Sequence, residues 1–210
     1  MRGPYCIGLT GGIGCGKSSA ARVFERLGAA VVDTDEISRE LTRAGGAAIP
    51  AICEVFGPES LTAEGALDRA RMRALVFRNA AAKQRLEAIL HPMIRAESRA
   101  RIAATRAPYV ILVVPLLLET GAYREIVERV LVVDCEEQQQ MARTRARSGL
   151  SDGEVEAIMA AQLPRAARLA AADDVLRNDA DFTTLQRDCE ALHRRYLALA
   201  SGAQSGASAS

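Results

Sequence analysis

The chain has 210 residues, 49% of them hydrophobic and 25% charged, with a formal net charge of +1. Such a balance builds one real core; it excludes a broad nucleic-acid-binding face, and no apolar run is long enough to span a bilayer. The five scattered cysteines (Cys6, Cys15, Cys53, Cys135, Cys189) make no C-x-x-C pair, and the N-terminus lacks a secretory signal pattern. The cysteine pattern suggests neither a disulfide framework nor a zinc site, and both features lead us to expect a reduced, cytoplasmic protein.

Tyr5–Thr10 is a short apolar run ending in a glycine cluster, the pattern of a buried strand. Ser19 to Leu27 has helical spacing, with Ala20, Val23, Phe24 and Leu27 on one face and Gly28 as a C-terminal stop. Between them runs G-x-x-x-x-G-K-S, from Gly11 to Ser18, a phosphate-binding loop in its required strand-to-helix context. Gly11, Gly12, Gly14 and Gly16 let the backbone curl so that its N–H groups face an anion, and the helix opening at Ser19 adds its positive end. Lys17 is expected to reach the β- and γ-phosphates of a nucleotide, and the Ser18 hydroxyl to ligate Mg²⁺. Ile13 and Cys15 fill variable slots and are expected to contribute backbone only. The chain has only two lysines beside 25 arginines, yet one of them stands here. A compact ammonium on a flexible stem suits a phosphate site.

Further along, Ala29–Asp33 reads as a second strand and 34–45 as a helix ending at Gly45–Gly46. Residues 47–107 are mostly helical by pattern, with a turn at "FGPES" and a polar connection through "TAEGALD". Pro108–Pro115, apolar on both faces, reads as a central strand, and Arg129–Asp134 as another. A polar helix ends at Gly149; the next begins with a serine cap and a glutamate three residues on. Asp173–Asn178 is a last strand, Asp181–Ala200 a last helix, and 201–210 a small polar tail expected to be disordered. Strands alternating with helices imply an α/β fold with a parallel sheet, helices on both faces and ligands at the strands' carboxyl ends. One domain is expected over 1–200. Its core is 1–35 and 107–200, with a helical acceptor-binding insertion at about 36–106 and a lid at about 139–168.

Several other residues can carry chemistry. Asp33 ends a strand, where a carboxylate can take a proton from an attacking hydroxyl or help hold Mg²⁺; either Asp33 or Asp35 can instead cap the following helix. Arg143 and Arg147 are spaced i, i+4 on one helix face, while Arg145 points elsewhere. They are either a clamp on a transferring phosphoryl group or a solvated basic face. His91, in "ILHPM", is either functional or structural, and His193 is expected at the surface. There is no N-K-x-D guanine-reading motif and no D-x-x-G switch. The third strand ends "VVPLLLE" without the aspartate that motor ATPases place there.

Taken together, "IGLTGGIGCGKSSAA", "VVDTDEISREL", "LHPMIR", "VVPLLLETG", "VLVVD", "QMARTRAR" and "MAAQLPRAARLAAADDVLRN" resemble the dephospho-coenzyme A kinase family, in family order and over nearly the whole chain. The resemblance implies a P-loop NTPase fold like that of nucleoside monophosphate kinases, built on a five-stranded parallel sheet. It implies ATP-dependent phosphorylation of the ribose 3′-hydroxyl of dephospho-coenzyme A, with ATP and Mg²⁺ as cofactors, small molecules as the partners, and a monomer favoured. By position it makes Asp33 the carboxylate near the acceptor hydroxyl and Arg143 and Arg147 the lid arginines. Asn178 then belongs to the segment against adenine, and His91, Leu116, Leu117 and Glu119 to the acceptor site. Cys15 stands where a serine is often found.

Overall fold

The computed structural model describes residues 3–207. β1 (Tyr5–Gly11), β2 (Ala30–Asp33), β3 (Tyr109–Val113), β4 (Arg129–Asp134) and β5 (Asp174–Arg177) form a five-stranded parallel sheet in the order β2-β3-β1-β4-β5. The helices, in chain order, are α1 (Lys17–Arg26), α2 (Thr34–Leu41), α3 (Ile49–Phe56), α4 (Arg69–Arg78), α5 (Ala80–Ala104), α6 (Leu117–Thr120), α7 (Glu137–Ser148), α8 (Asp152–Ala160), α9 (Arg165–Ala170) and α10 (Phe182–Ala207). The chain divides into two compact units, one of residues up to Val32 and from Ile102 onward, the other Asp33–Arg101.

In the first unit β1 is central, pairing Ile7 with Ile111 of β3 on one side and Arg129 of β4 on the other. The chain moves outward to β2 and β3 on one side, then crosses to β4 and β5. The crossing makes the carboxyl end of β1 the switch point at which open parallel sheets bind ligands. Alternation along β1 sorts its residues between two faces. Ile7 and Leu9 join Ala20, Val23 and Phe24 of α1 and Leu185, Cys189 and Tyr196 of α10 in one core. Fully burying each large side chain there contributes about 1.5–3 kcal/mol. Gly8 is on the other face, where a Cβ would meet Leu117 at 2.5 Å and Val127 at 3.0 Å. Glycine is required there to let α6 lie close to the sheet.

Two expectations are corrected in this unit. His193 is half-buried, its Nδ1 bonded to the Tyr109 hydroxyl at 2.7 Å, and burial pulls its pKa below the usual histidine value. α10 does not stop at Ala200 but runs to Ala207, no proline interrupting its backbone hydrogen bonds; residues 208–210 of the expected tail lie outside the described residues.

In the second unit Ala48, Ile52, Leu67 and Met72 form a small core covered by Leu86, Ile89, Leu90 and Met93 of α5. Asp68 caps α4 by accepting from Arg71 N–H at 2.9 Å. Asn79 takes Ala82 N–H at 3.0 Å at the start of α5, which continues through Pro92. The stretch read as a polar connection closes with an antiparallel bridge between Leu61 and Leu67. Among the described residues no helix is long and apolar enough to cross a membrane.

Candidate active site

β1 delivers the glycine loop to the carboxyl edge of the sheet, and α1 carries it away. Gly14 and Gly16 adopt φ of 74° and 93°, in the left-handed region that glycine enters at little cost. Gly16 stands at the N-cap of α1 with no side chain capping the helix, so the positive end of α1 is turned to the loop without a capping oxygen. Lys17 Nζ lies over the loop, donating to the carbonyls of Gly11 at 2.8 Å and Gly12 at 3.0 Å. Ser18 and Ser19 are exposed in the first turn of α1.

Side chains far away in sequence press on this loop. Ile13 N–H donates to Gln162 Oε1 at 3.0 Å. Asn178, almost fully buried, donates from Nδ2 to the Cys15 carbonyl at 2.7 Å, and a Cβ on Gly16 would collide with the same amide. A Cβ on Gly12 would meet Gln140 Oε1 at 2.5 Å and Arg168 Nη2 at 2.9 Å; one on Gly14 would meet the Gln140 carbonyl at 2.5 Å and Thr144 Oγ1 at 2.7 Å. The glycines therefore serve two needs: backbone curl, and room for α7 and α9 to approach. Sequence reading missed Gln140, Thr144, Gln162 and Arg168. They lie in the expected lid segment, but no local pattern shows that they point back at the loop.

Cys15 is a correction as well. Its thiol is fully buried and accepts a hydrogen bond from Cys135 Sγ at 3.4 Å, so the side chain, not only the backbone, holds this slot. That bond draws the Cys15 pKa down against the opposing effect of burial, with the Lys17 charge assisting; the Cys135 thiol is pushed up, because it is the donor.

At the tip of β4, Asp134 is 2% exposed. Arg165 grips it with two bonds, Nε to Oδ1 at 2.9 Å and Nη2 to Oδ2 at 2.8 Å, and reaches Glu136 at 2.7 Å. Arg177 adds a bond to Asp134 at 3.2 Å. This strand-tip carboxylate is saturated by arginine and is no free metal ligand.

The arginines of α7 differ from one another. Arg143 is half-buried, and its Nη1 is buried with no hydrogen-bond acceptor among the described residues. Arg147 is exposed, so the two do not share one environment despite their i, i+4 spacing. Arg145 pairs with Asp152 at 3.0 Å, both side chains more than half exposed.

Of the residues assigned to the acceptor, Leu116 is exposed, whereas Leu117 is 4% exposed and packs over Gly8. Leu117 therefore belongs to the core rather than to an open surface. Glu119 Oε1 accepts from Leu163 N–H at 2.9 Å, tying α6 to the turn before α9, while its Oε2 is buried without a donor among the described residues. In the second unit Asp33 is the N-cap of α2: Oδ1 accepts from the amides of Asp35 at 2.8 Å and Glu36 at 3.3 Å. The capping role left open between the two aspartates thus belongs to Asp33. His91 is exposed on α5.

The family model for dephospho-CoA kinase matches residues 5–184, a span that takes in the loop, both units and β5. The chain belongs to the dephospho-CoA kinase family. A dephospho-CoA kinase of Nitrosospira multiformis is 57% identical over 93% of this chain and 98% of its own length. One of Dechloromonas aromatica is 55% identical, over 93% and 94%. Among solved structures, the Thermus thermophilus protein TT1252 superposes with a TM-score of 0.80 at 33% identity, covering 92% of this chain and 98% of that one. Within this family fold, the phosphate loop, the α1 N-terminus and Lys17 make a cradle suited to a nucleotide triphosphate, because the helix start carries no side-chain cap and the Lys17 ammonium lies across the loop. The donor set for a divalent cation is thinner. Among the described residues no three His, Cys, Asp or Glu side chains cluster to hold a metal. The exposed Ser18 hydroxyl therefore fits a Mg²⁺ ion that arrives bound to phosphates and keeps part of its water shell.

Proposed function

We propose that this protein transfers the terminal phosphoryl group of ATP to the ribose 3′-hydroxyl of dephospho-coenzyme A, giving coenzyme A and ADP, the final step of coenzyme A synthesis. What carries the reading is the family match over nearly the whole chain, joined to a phosphate loop in its strand-to-helix setting with Lys17 bonded across it.

Little covalent chemistry is asked of the protein; positioning and charge neutralisation do most of the work. The loop from Gly12 to Ser18 and the opening turn of α1, with Ser19, bind the phosphates, the Ile13 amide giving up Gln162 Oε1 to do so. Lys17 moves its donors from the Gly11 and Gly12 carbonyls to phosphate oxygens. Mg²⁺, when bound, offsets charge on the phosphates, and Ser18 supplies its protein ligand. Segment 139–168 acts as a lid that excludes water, with Arg143 and Arg147 neutralising charge on the group in transit. Asn178, in the segment assigned to adenine, holds the loop through the Cys15 carbonyl. Asp33 orients the acceptor hydroxyl and takes its proton, while Leu116, Glu119 and His91 contribute to the acceptor side. The five unpaired cysteines suit a reducing compartment such as the cytoplasm.

The test is ADP formation from ATP and Mg²⁺ with a panel of acceptors: dephospho-coenzyme A, adenosine, AMP, cytidine monophosphate and pantothenate. Dephospho-coenzyme A should have the highest kcat/KM. A nucleoside monophosphate with a higher value would make this a different kinase on the same scaffold.

A further inference from the structure

α9 carries two arginines three residues apart with opposite electrostatic fates. Arg165 is neutralised by Asp134 and Glu136. Arg168 is only 6% exposed, and among the described residues it joins no ion pair. One edge of its guanidinium donates from Nη1 to the Leu163 carbonyl at 2.5 Å. The other edge faces the loop, with Nη2 2.9 Å from where a Cβ on Gly12 would stand.

A guanidinium removed from water needs a counter-charge or a full set of acceptors. The loop beneath Arg168 supplies neither. Its Gly11 and Gly12 carbonyls are taken by Lys17, and it otherwise presents the positive end of α1 and the Lys17 ammonium itself. Arg143 has a buried Nη1 with no acceptor among the described residues and adds to the imbalance. The nearby strand-tip carboxylate cannot relieve it, since Arg165 and Arg177 occupy Asp134. The Glu119 carboxylate, which holds the Leu163 amide, makes no ion pair with Arg168 among the described residues, so the positive groups gathered here are complementary to a polyanion.

We propose that Arg168 is a catalytic arginine of this site, donating through the Nη2 edge to phosphate oxygens of the bound triphosphate. This rests on the nucleotide reading of the loop. Geometry divides the labour between its two edges: the Leu163 carbonyl fixes the fork, and the free edge hydrogen-bonds the phosphates and neutralises charge that grows on the transferring group. An arginine is suited to this because its planar fork can hold a structural bond and a ligand bond at once and cannot lose its proton. The sequence pattern pointed to the i, i+4 pair Arg143 and Arg147; burial and loop contact single out Arg168 instead.

The experiment compares wild type with Arg168→Met, reading thermal stability, calorimetric binding of inorganic tripolyphosphate, and kcat. A buried cation without a counter-charge is unfavourable in the free protein, so Arg168→Met should melt no lower than wild type. It should bind tripolyphosphate at least tenfold more weakly and lose on the order of a hundredfold or more in kcat, the scale of removing one preorganised donor to a developing charge. A melt well below wild type with unchanged tripolyphosphate affinity would show that Arg168 only braces the Leu163 turn, and would overturn the proposal. If Arg168→Met does not fold, Arg168→Gln, which keeps a donor for the Leu163 carbonyl, is judged by the same criteria. A wild-type chain that fails to bind tripolyphosphate also overturns it. One that binds tripolyphosphate with Arg168-dependent affinity but does not phosphorylate dephospho-coenzyme A sinks the proposed function while leaving the arginine as a phosphate ligand.

Discussion

Replacing Asp33 by asparagine separates the cap that its carboxyl group forms on α2 from the acceptor-orienting role proposed for it. Oδ1 caps α2 by accepting from the amides of Asp35 and Glu36 at 2.8 and 3.3 Å. Asparagine keeps a carbonyl oxygen at that place and caps nearly as well, so the fold should lose only a few tenths of a kcal/mol. What asparagine cannot do is accept a proton or carry the negative charge that orients the acceptor hydroxyl. General-base contributions run from about 10² to 10⁴ in rate, and the lower figure corresponds to roughly 2.7 kcal/mol of barrier. Asp33→Asn should therefore lower kcat about a hundredfold or more, with a modest change in KM for ATP and a melting temperature within about 1 °C of wild type. Asp33→Ala should add loss of the cap, about 1 kcal/mol, which for a chain of this size is a fall of roughly 2–4 °C. Asp35→Asn should keep most activity. The assay is steady-state kinetics with ATP and dephospho-coenzyme A each varied, beside a thermal melt. If Asp33→Asn turns over within a few-fold of wild type, Asp33 is a cap and nothing more, and the transfer needs no carboxylate.

Lys17→Ala should leave the protein folded and cost two or more decades in kcat, since it removes the ammonium that lies across the loop; near-normal turnover would mean that the loop does not hold the reacting nucleotide. Among the arginines of α7, Arg143→Ala should lower kcat most, the exposed Arg147→Ala less, and Arg145→Ala hardly at all, because an exposed pair such as Arg145–Asp152 contributes little; equal effects in a side-by-side kinetic series would make the whole face solvated. Gly16→Ala should destabilise by about 1–3 kcal/mol from the positive φ alone, and by more because the new methyl collides with Asn178; a melt unchanged from wild type would contradict the loop geometry. Burial lowers the His193 pKa, so its contribution to stability is present above the ordinary histidine value near 6.5 and is lost as the pH falls through the lower folded value. Denaturant melts from pH 7 to 5 should accordingly show a shallower acid loss in His193→Gln than in wild type, and parallel curves would rule the histidine out.

The parts of the site legible from sequence are those where chemistry and local backbone coincide. Gly11 to Ser18 announces itself because an anion cradle needs glycines at fixed intervals between a strand and a helix. The buried strands β3 and β4 were legible because parallel strands covered on both faces are continuous apolar runs. The capping box of Ser151 and Glu154 was legible for a similar reason, being a contact over three residues. Illegible were the contacts made by folding distant segments together. Ile13 and Gln162 are 149 residues apart, Cys15 and Asn178 are 163, and nothing in either neighbourhood marks the partner. The Cys15–Cys135 contact was missed for the same reason, since a scattered odd count of cysteines carries no spacing signal.

The arginines show the limit most clearly. With 25 of them in the chain, residue type says nothing, and helical spacing selected Arg143 and Arg147. Spacing describes one helix in isolation. What decides an arginine's role is whether a carboxylate meets it in the fold, and that depends on which strand tip or loop lies opposite. Arg165 meets Asp134 and becomes a brace. Arg168, less than a turn away, meets Gly12 and keeps its charge unbalanced. Gly12 is thus a functional glycine for a reason the motif does not state. Besides letting the backbone curl, it leaves the space through which a guanidinium from α9 can come down onto the loop. Any side chain at position 12 would have to displace Gln140 and Arg168 before it disturbed the loop's own backbone.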